Sequence, residues 1–283
     1  MILQALSDYY ARKAADPDDG LAPEGFELKA IPFVLVLDGA GQLVQLADRR
    51  EGAGKKKVAK AVLVPQGTKK TSGVAANLLW DTAEYVLGID TRGKPERLAE
   101  QQAAFVARLR DAFGESPDDA GLRAVLAFLE QHRIEAMDSL EAHPAWPEIL
   151  EANPPLTFQL NTDTGLVCQR PAVVAALMNR DSGAPDGLCL VSGEPDTIER
   201  LHAAIKGVCG AQTAGANIVS FNLGAFNSYG KSQSFNAPVG KRAAFAYTTA
   251  LNHLLAKGSR QRVQVGDAST VFWAEKASGE VFE

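Results

Sequence analysis

With 283 residues, 46% of them hydrophobic and 22% charged, the chain is long enough to bury a sizeable core and reads as a globular protein of one large or two ordinary domains. The start "MILQALSDYYARK" has no basic n-region or small-residue cleavage site, and no segment offers about 18 uninterrupted apolar residues. Together these argue against secreted and membrane-spanning classes and predict a cytoplasmic location. Cys168, Cys189 and Cys209 are odd in number and lack CxxC spacing, which predicts reduced thiols rather than a disulfide framework or a metal site.

In chain order, residues 1 to 15 predict a short amphipathic helix with Ile2, Leu3, Leu6 and Tyr10 near one face, broken by "DPDDGLAPEG". "AIPFVLVLDGAGQLVQLADRR" reads as a hairpin turning at Asp38-Gly39-Ala40-Gly41. A basic loop, "EGAGKKK", a third strand, "VAKAVLVPQ", and a polar loop, "QGTKKTSG", follow. "VAANLLWDTAEYVLGI" has helical apolar spacing stopped by Gly88, and residues 95 to 151 carry helical stretches with a stripe at Leu98, Gln102, Phe105, Leu109 and Phe113. Asp118 and Asp119 suit a helix start.

"PPLTFQLNTDTGLVCQ" predicts a hairpin with Asp163-Thr164-Gly165 at the turn, and "PAVVAALMNR" a helix. "GLCLVSG" predicts a buried strand, "DTIERLHAAIKGV" a helix capped by Asp196 or Thr197, and "ANIVSFN" another strand. "RAAFAYTTALNHLLAKG" predicts a helix ended by Gly258, with β structure in "RQRVQVGDASTVFW" after it. The expectation is a mixed α/β (α+β) fold of mixed or antiparallel sheets with a helical insert. It divides into residues 1 to 94 with the basic loops, an insert at 95 to 151, and a second α/β region at 152 to 283 that continues the same core.

The net charge of −5 is unevenly spread. From Arg49 to Lys70 there are eight Lys/Arg against Glu51, a net of +7. From Arg200 to Gly266, 67 residues hold no Asp or Glu and carry +8, which leaves −20 for the rest. Such segregation fits a localised polyanion site on an acidic protein; the alternative is solvated lysines clustered in loops.

"NLGAFNSYGKSQSFNAPVG", residues 222 to 240, contains a Gly-Lys-Ser without the rest of a phosphate-binding loop. Five residues separate Gly224 from Gly230 where four are needed, and Pro238 with "SQSFNA" predicts continuing loop where a helix should start. No HExxH, GxSxG or metal-ligand spacing is present, and the basic windows lack the carboxylates of a metal-dependent nuclease. No catalytic residue, metal or cofactor is expected, and the sequence argues for holding nucleic acid rather than cutting it.

Candidate residues fall on two segments. Lys55, Lys56, Lys57, Lys60, Lys69 and Lys70 supply phosphate-neutralising charge, with Gln66, Thr68, Thr71 and Ser72 as small hydrogen-bonding groups. Asn222, Asn227, Ser228, Lys231, Gln233 and Asn236 surround Phe226, Tyr229 and Phe235, a set able to read base edges and stack. The alternative is that Phe226 and Phe235 pin the loop to the core and the asparagines make turns. From other classes stand a metal-independent ribonuclease using His202 or Tyr229 with Lys231, and a scaffold protein whose basic windows meet acidic partners.

"MILQALSDYY", "IPFVLVLDGAGQL", "VPQGTKKTSG", "DTAEYVLG", "GEPDTIERLHAAIKGVCGAQTAGANIVSFN", "AFNSYGKSQSFNAPV" and "AAFAYTTALNHLL" occur in that order over nearly the whole chain. Together they resemble the large subunit of the type I-C CRISPR Cascade surveillance complex. The resemblance implies a complex in which a guide RNA reads its target by base pairing while this subunit inspects the short flanking motif (PAM) of the double-stranded DNA and supports unwinding of the target. It further implies contacts with the guide RNA's 5′ handle and with other Cascade backbone subunits, and recruitment of a separate helicase–nuclease. It also implies a longer chain with a helical C-terminal region, so the sequence is expected to be an N-terminal portion, without that region's small-subunit-like bundle and displaced-strand contacts.

Overall fold

A computed structural model describes residues 1–15, 21–52, 57–70, 73–178 and 184–276. Helix α1 (Ile2–Ala14) buries Leu6 and Tyr9, with Leu3 and Tyr10 packed beside them and Ile2 exposed. Strand β1 (Phe26–Ala30) precedes the expected hairpin of β2 (Phe33–Leu37) and β3 (Leu43–Asp48). Its turn is closed by Asp38 Oδ1, which accepts from the backbone N–H of Ala40 at 2.9 Å and of Gln42 at 2.8 Å. The short ribbon β4 (Arg50–Glu51) with β5 (Val58–Ala59) leads into β6 (Ala61–Pro65), which pairs antiparallel with β1.

The helix expected at 74 to 89 shrinks to α2 (Ala83–Val86), preceded by β7 (Trp80–Asp81). Leu79 sits at φ +63°, and the Asp81 carboxylate accepts from the N–H groups of Asn77 and Thr82, so the chain turns here. The 95 to 151 stretch is helical as expected: α3 (Leu98–Phe113), α4 (Ala120–Ala127) running into one π-helical turn at Phe128–His132, α5 (Met137–Glu141) and α6 (Trp146–Ala152). Asp119 caps α4, accepting from Leu122 N–H at 3.1 Å, and Arg170 grips it at 2.9 Å.

Strand β8 (Leu156–Leu160) follows and is not the first arm of a hairpin. It lies parallel to β2 on one side and antiparallel to β7 on the other, so the sheet order is β3-β2-β8-β7 and no edge of β8 is left for the segment after it. Residues 167–169 instead make a 3₁₀ turn whose Gln169 Nε2 donates to Leu63 O at 3.0 Å. A parallel pair needs a long crossover, and the helical stretch lies within the one that carries the chain from β2 to β8. Both strands are buried throughout, against Phe105, Leu109 and Phe128 of the helices, with the Phe128 and Phe158 rings 6.0 Å apart edge to face. Each fully buried large apolar side chain contributes about 1.5–3 kcal/mol, against about 0–1 kcal/mol for an exposed ion pair, so this sheet–helix core dominates.

Helix α7 (Pro171–Met178) is as expected. The last third contains the short pair β9 (Gly187–Leu188) and β10 (Pro195–Asp196), helix α8 (Lys241–Leu254) and the hairpin β11 (Arg262–Val265) with β12 (Ala268–Val271). The helix expected in "DTIERLHAAIKGV" is absent: the segment is irregular, with bends at 200–201 and 207, and makes isolated bridges Ile198 to Gly240 and Ile205 to Ala216. Its buried Ile198, His202 and Ile205 mimic helical spacing. The expected cap serves another helix, since Asp196 Oδ2 accepts from Arg242 N–H at the start of α8. "ANIVSFN" contributes only the Ala216 bridge and no strand.

The chain falls into two compact units, 25–180 and 1–24 with 181–283. The first holds the four-stranded sheet and the helical crossover; the second joins α1 to α8 around Leu6, Tyr9, Tyr247 and Leu254. The fold is mixed α/β with small antiparallel and mixed sheets.

Candidate nucleic-acid interface

Residues 66 to 70 leave β6 as a strap fastened along its inner side. Gln66 N–H continues the ladder to Gly25 O at 2.8 Å, and the Trp80 indole donates to Pro65 O at 2.8 Å. A Cβ at Gly67 would lie 3.1 Å from the Trp80 ring, so any larger residue there would have to push the ring aside by a few tenths of an ångström. Thr68 is anchored twice, its N–H to Asn77 Oδ1 at 2.9 Å and its hydroxyl to Ala76 O at 3.2 Å.

Lys70 reaches inward. Its ammonium donates to both oxygens of Asp81, at 2.7 and 2.9 Å, and stands 3.8 Å from the Tyr85 ring centroid. Asp81, with a side chain 1% exposed, is a four-point anchor holding Lys70, Asn77 N–H and Thr82 N–H. Lys70 is therefore a bolt for the strap, while Gln66 and Lys69 are exposed on it. Sequence reasoning missed Asp81, because nothing in "LLWDTAEY" distinguishes a buried anchor from an exposed helix-start acid.

Lys57, just before β5, pairs with Asp48 at 2.9 Å, and Arg50 binds the same carboxylate while reaching Glu148. The Arg50 hydrogen bonds hold Asp48 well below the usual carboxylate range, against the opposing effect of desolvation, with Lys57 adding to them. Lys60 is exposed. Arg50, Lys57 and Lys70 thus have their charge offset by carboxylates outside the basic window. Lys55, Lys56, Thr71 and Ser72 lie outside the described residues.

The 222 to 236 loop, in the other unit, is organised by one amide. Ser228 N–H donates to Asn236 Oδ1 at 3.0 Å, and Asn236 Nδ2 donates to Lys231 O at 3.1 Å and Gln233 O at 2.9 Å. Gln233 accepts from Arg200 at 2.9 Å. Asn236 and Gln233 are therefore loop-shaping groups, while Asn222, Asn227, Ser228, Tyr229 and Lys231 are exposed. Lys231 N–H bonds Ser228 O at 2.9 Å, closing a two-residue turn with Tyr229 at φ +50° and Gly230 at φ +69°. The Gly-Lys-Ser is thus a hairpin tip, and the next α-helix begins only at Lys241.

His202 is 1% exposed, with Nδ1 2.7 Å from the Tyr247 hydroxyl, whose pKa burial raises. That places it as a buried structural group and counts against it as a ribonuclease acid or base. Among the described residues no group of three or more His, Cys, Asp or Glu could hold a metal ion, and no helix is long and apolar enough to cross a membrane. A family model described as CRISPR-associated protein (Cas_Csd1) matches residues 6–283. No curated protein matches the chain.

Proposed function

The chain belongs to the CRISPR-associated Csd1 family, the large subunits of type I-C Cascade, and on that premise we propose that it is the non-catalytic DNA-recognition subunit of its complex. In this reading it grips the duplex flanking the guide-matched target, supports opening of the target strand and contacts the guide RNA. The backbone subunits of the complex are its neighbours, a separate helicase–nuclease does the cutting, and the setting is the cytoplasm.

The observation that carries the reading is the strap. Thr68 and Lys70 are tied to Ala76, Asn77 and Asp81, so Gln66 and Lys69, exposed like them, stand on a fixed backbone. A fixed cation suits phosphate contact, and an amide beside it suits base-edge contact. A mobile lysine cluster would give charge without register.

The test is binding of target duplex by the assembled complex at several salt concentrations, with matched and altered flanks, for the parent and Lys69→Ala. One lost phosphate contact lowers the slope of log K against log salt by about 0.9 and weakens binding uniformly across sequences. Gln66→Ala is expected to relax preference for the flank instead, by about 1–3 kcal/mol of discrimination. Unchanged affinity, slope and preference in both variants would overturn the assignment.

A further inference from the structure

We propose that Tyr229 is a stacking residue for an unpaired nucleobase, presented at the tip of a rigid turn. The inference rests on the nucleic-acid reading above and adds to it a contact that is not electrostatic. Tyr229 is 99% exposed. An aromatic side chain that buries nothing adds nothing to its own fold by burial.

It also occupies a backbone position that disfavours it. Positive φ at both central residues of a two-residue hairpin turn is the domain of Asn, Asp and Gly, and Gly230 fills the second place. At the first, Tyr229 at φ +50° is strained where a glycine would not be. Strain in a residue without compensating burial points outward, to something the side chain does for a ligand.

The turn is built to hold that pose. Asn236 clamps both arms through Ser228 N–H and Lys231 O, and its own segment is anchored by the buried Ser234. Leu223 and Phe226, in the same loop, are also exposed apolar side chains.

The charge of the setting selects the occupant. No carboxylate occurs from residue 200 to 266, and Lys231 is two residues from the tip. An acidic protein surface would find cations here without needing an aromatic. A base attached to a phosphate finds both a face to stack on and a positive charge. Because the tip is a single protruding ring, it suits a base already out of a helix, in a single-stranded part of the guide RNA or in the opened target strand.

The experiment compares assembled complexes of the parent, Tyr229→Phe and Tyr229→Gly. A fluorescent adenine analogue is placed singly in the unpaired guide RNA in one arm and in the opened target strand in the other. The expected result is quenching in one arm that Phe retains and Gly loses, with about tenfold weaker binding for Gly in that arm, largely independent of salt. Glycine should leave the melting temperature of the free protein equal or higher. Unchanged quenching and affinity in both arms would overturn the proposal, as would a lowered melting temperature for Gly, which would give Tyr229 a role in the fold. A Gly complex that loses a protein subunit yet handles nucleic acid normally would overturn it in favour of a protein contact. The strap reading is judged separately by the salt slope of Lys69→Ala, so either proposal can fail while the other stands.

Discussion

Lys70→Ala is expected to damage the fold, and its cost can be worked from the anchor it leaves behind. Lys70 makes two charge-assisted hydrogen bonds, at 2.7 and 2.9 Å, to an Asp81 side chain that is 1% exposed. Removing one partner of a buried pair costs about 3–5 kcal/mol. Here the Lys70 side chain is 34% exposed, so water enters the vacated position and the backbone donors of Asn77 and Thr82 remain; that discounts the loss to about 2–3 kcal/mol. The cation–π contact with Tyr85 adds about 0.5–1 kcal/mol. A total of about 3 kcal/mol lowers the melting temperature by roughly 6–12 °C for a unit of this size. Thermal and urea melts of Lys70→Ala, Asp81→Asn, the double variant and Lys69→Ala check this. Lys69→Ala, at an exposed side chain, should cost no more than about 1 kcal/mol, and the double variant should show a coupling of about 1–3 kcal/mol. If Lys70→Ala melts with Lys69→Ala, or if the two single losses simply add, the bolt assignment is wrong.

Gly41→Ala should cost about 3 kcal/mol or more, because a Cβ there meets Ala124 O at 2.6 Å and Ala127 Cβ at 2.8 Å at a backbone φ of +87°; a urea midpoint within experimental scatter of the parent would show that the β2–β3 turn does not pack on α4 as described. Acid stability should fall in a defined direction. Burial alone would raise the Glu84 pKa, but hydrogen bonds from Thr82, Thr91 and Asn153 outweigh it and hold it low, and Arg50 does the same for Asp48. A native pKa below the unfolded one gives stability that is present above the ordinary carboxylate range and lost as pH falls through it toward the native value, so melting temperature should decline below about pH 5. Glu84→Gln should melt lower at neutral pH and show a shallower acid decline, and an unchanged slope would remove Glu84 from the account.

How much of the fold was legible depended on whether a pattern was local. The β2–β3 hairpin carries its own turn chemistry in Asp38 and Gly41, and α8 its own apolar stripe, although it ends at Leu254, before the Gly258 expected to stop it, so both follow from short windows. The failures share a cause. Ile198, His202 and Ile205 repeat at a helical interval, yet the segment is held out of a helix by bridges to Gly240 and Ala216, both beyond its own window. β8 has the alternation and turn residues of a hairpin, but β2 and β7 occupy both its edges. In each case a distant partner overrode a local period, and such a partner leaves no mark in the window that is read.

The candidate site divides along the same line. Charge arithmetic over the Arg49 to Lys70 window counts every cation equally, but folding delivers Asp48, Asp81 and Glu148 to three of them from outside it. Counting charges therefore overstated the net positive charge that the folded segment presents. What separates a binding cation from a structural one is whether a carboxylate is placed to meet it, and for Lys70 that is the buried Asp81, which only folding brings to it. Polar residues obey the same rule: Asn236 and Gln233 looked like base readers, yet Asn236 holds the tip and Gln233 engages Arg200, while Tyr229 stands outside with Asn222, Asn227, Ser228 and Lys231. The residues that shape a recognition loop and those that use it are drawn from the same chemical set, so only their partners can tell them apart.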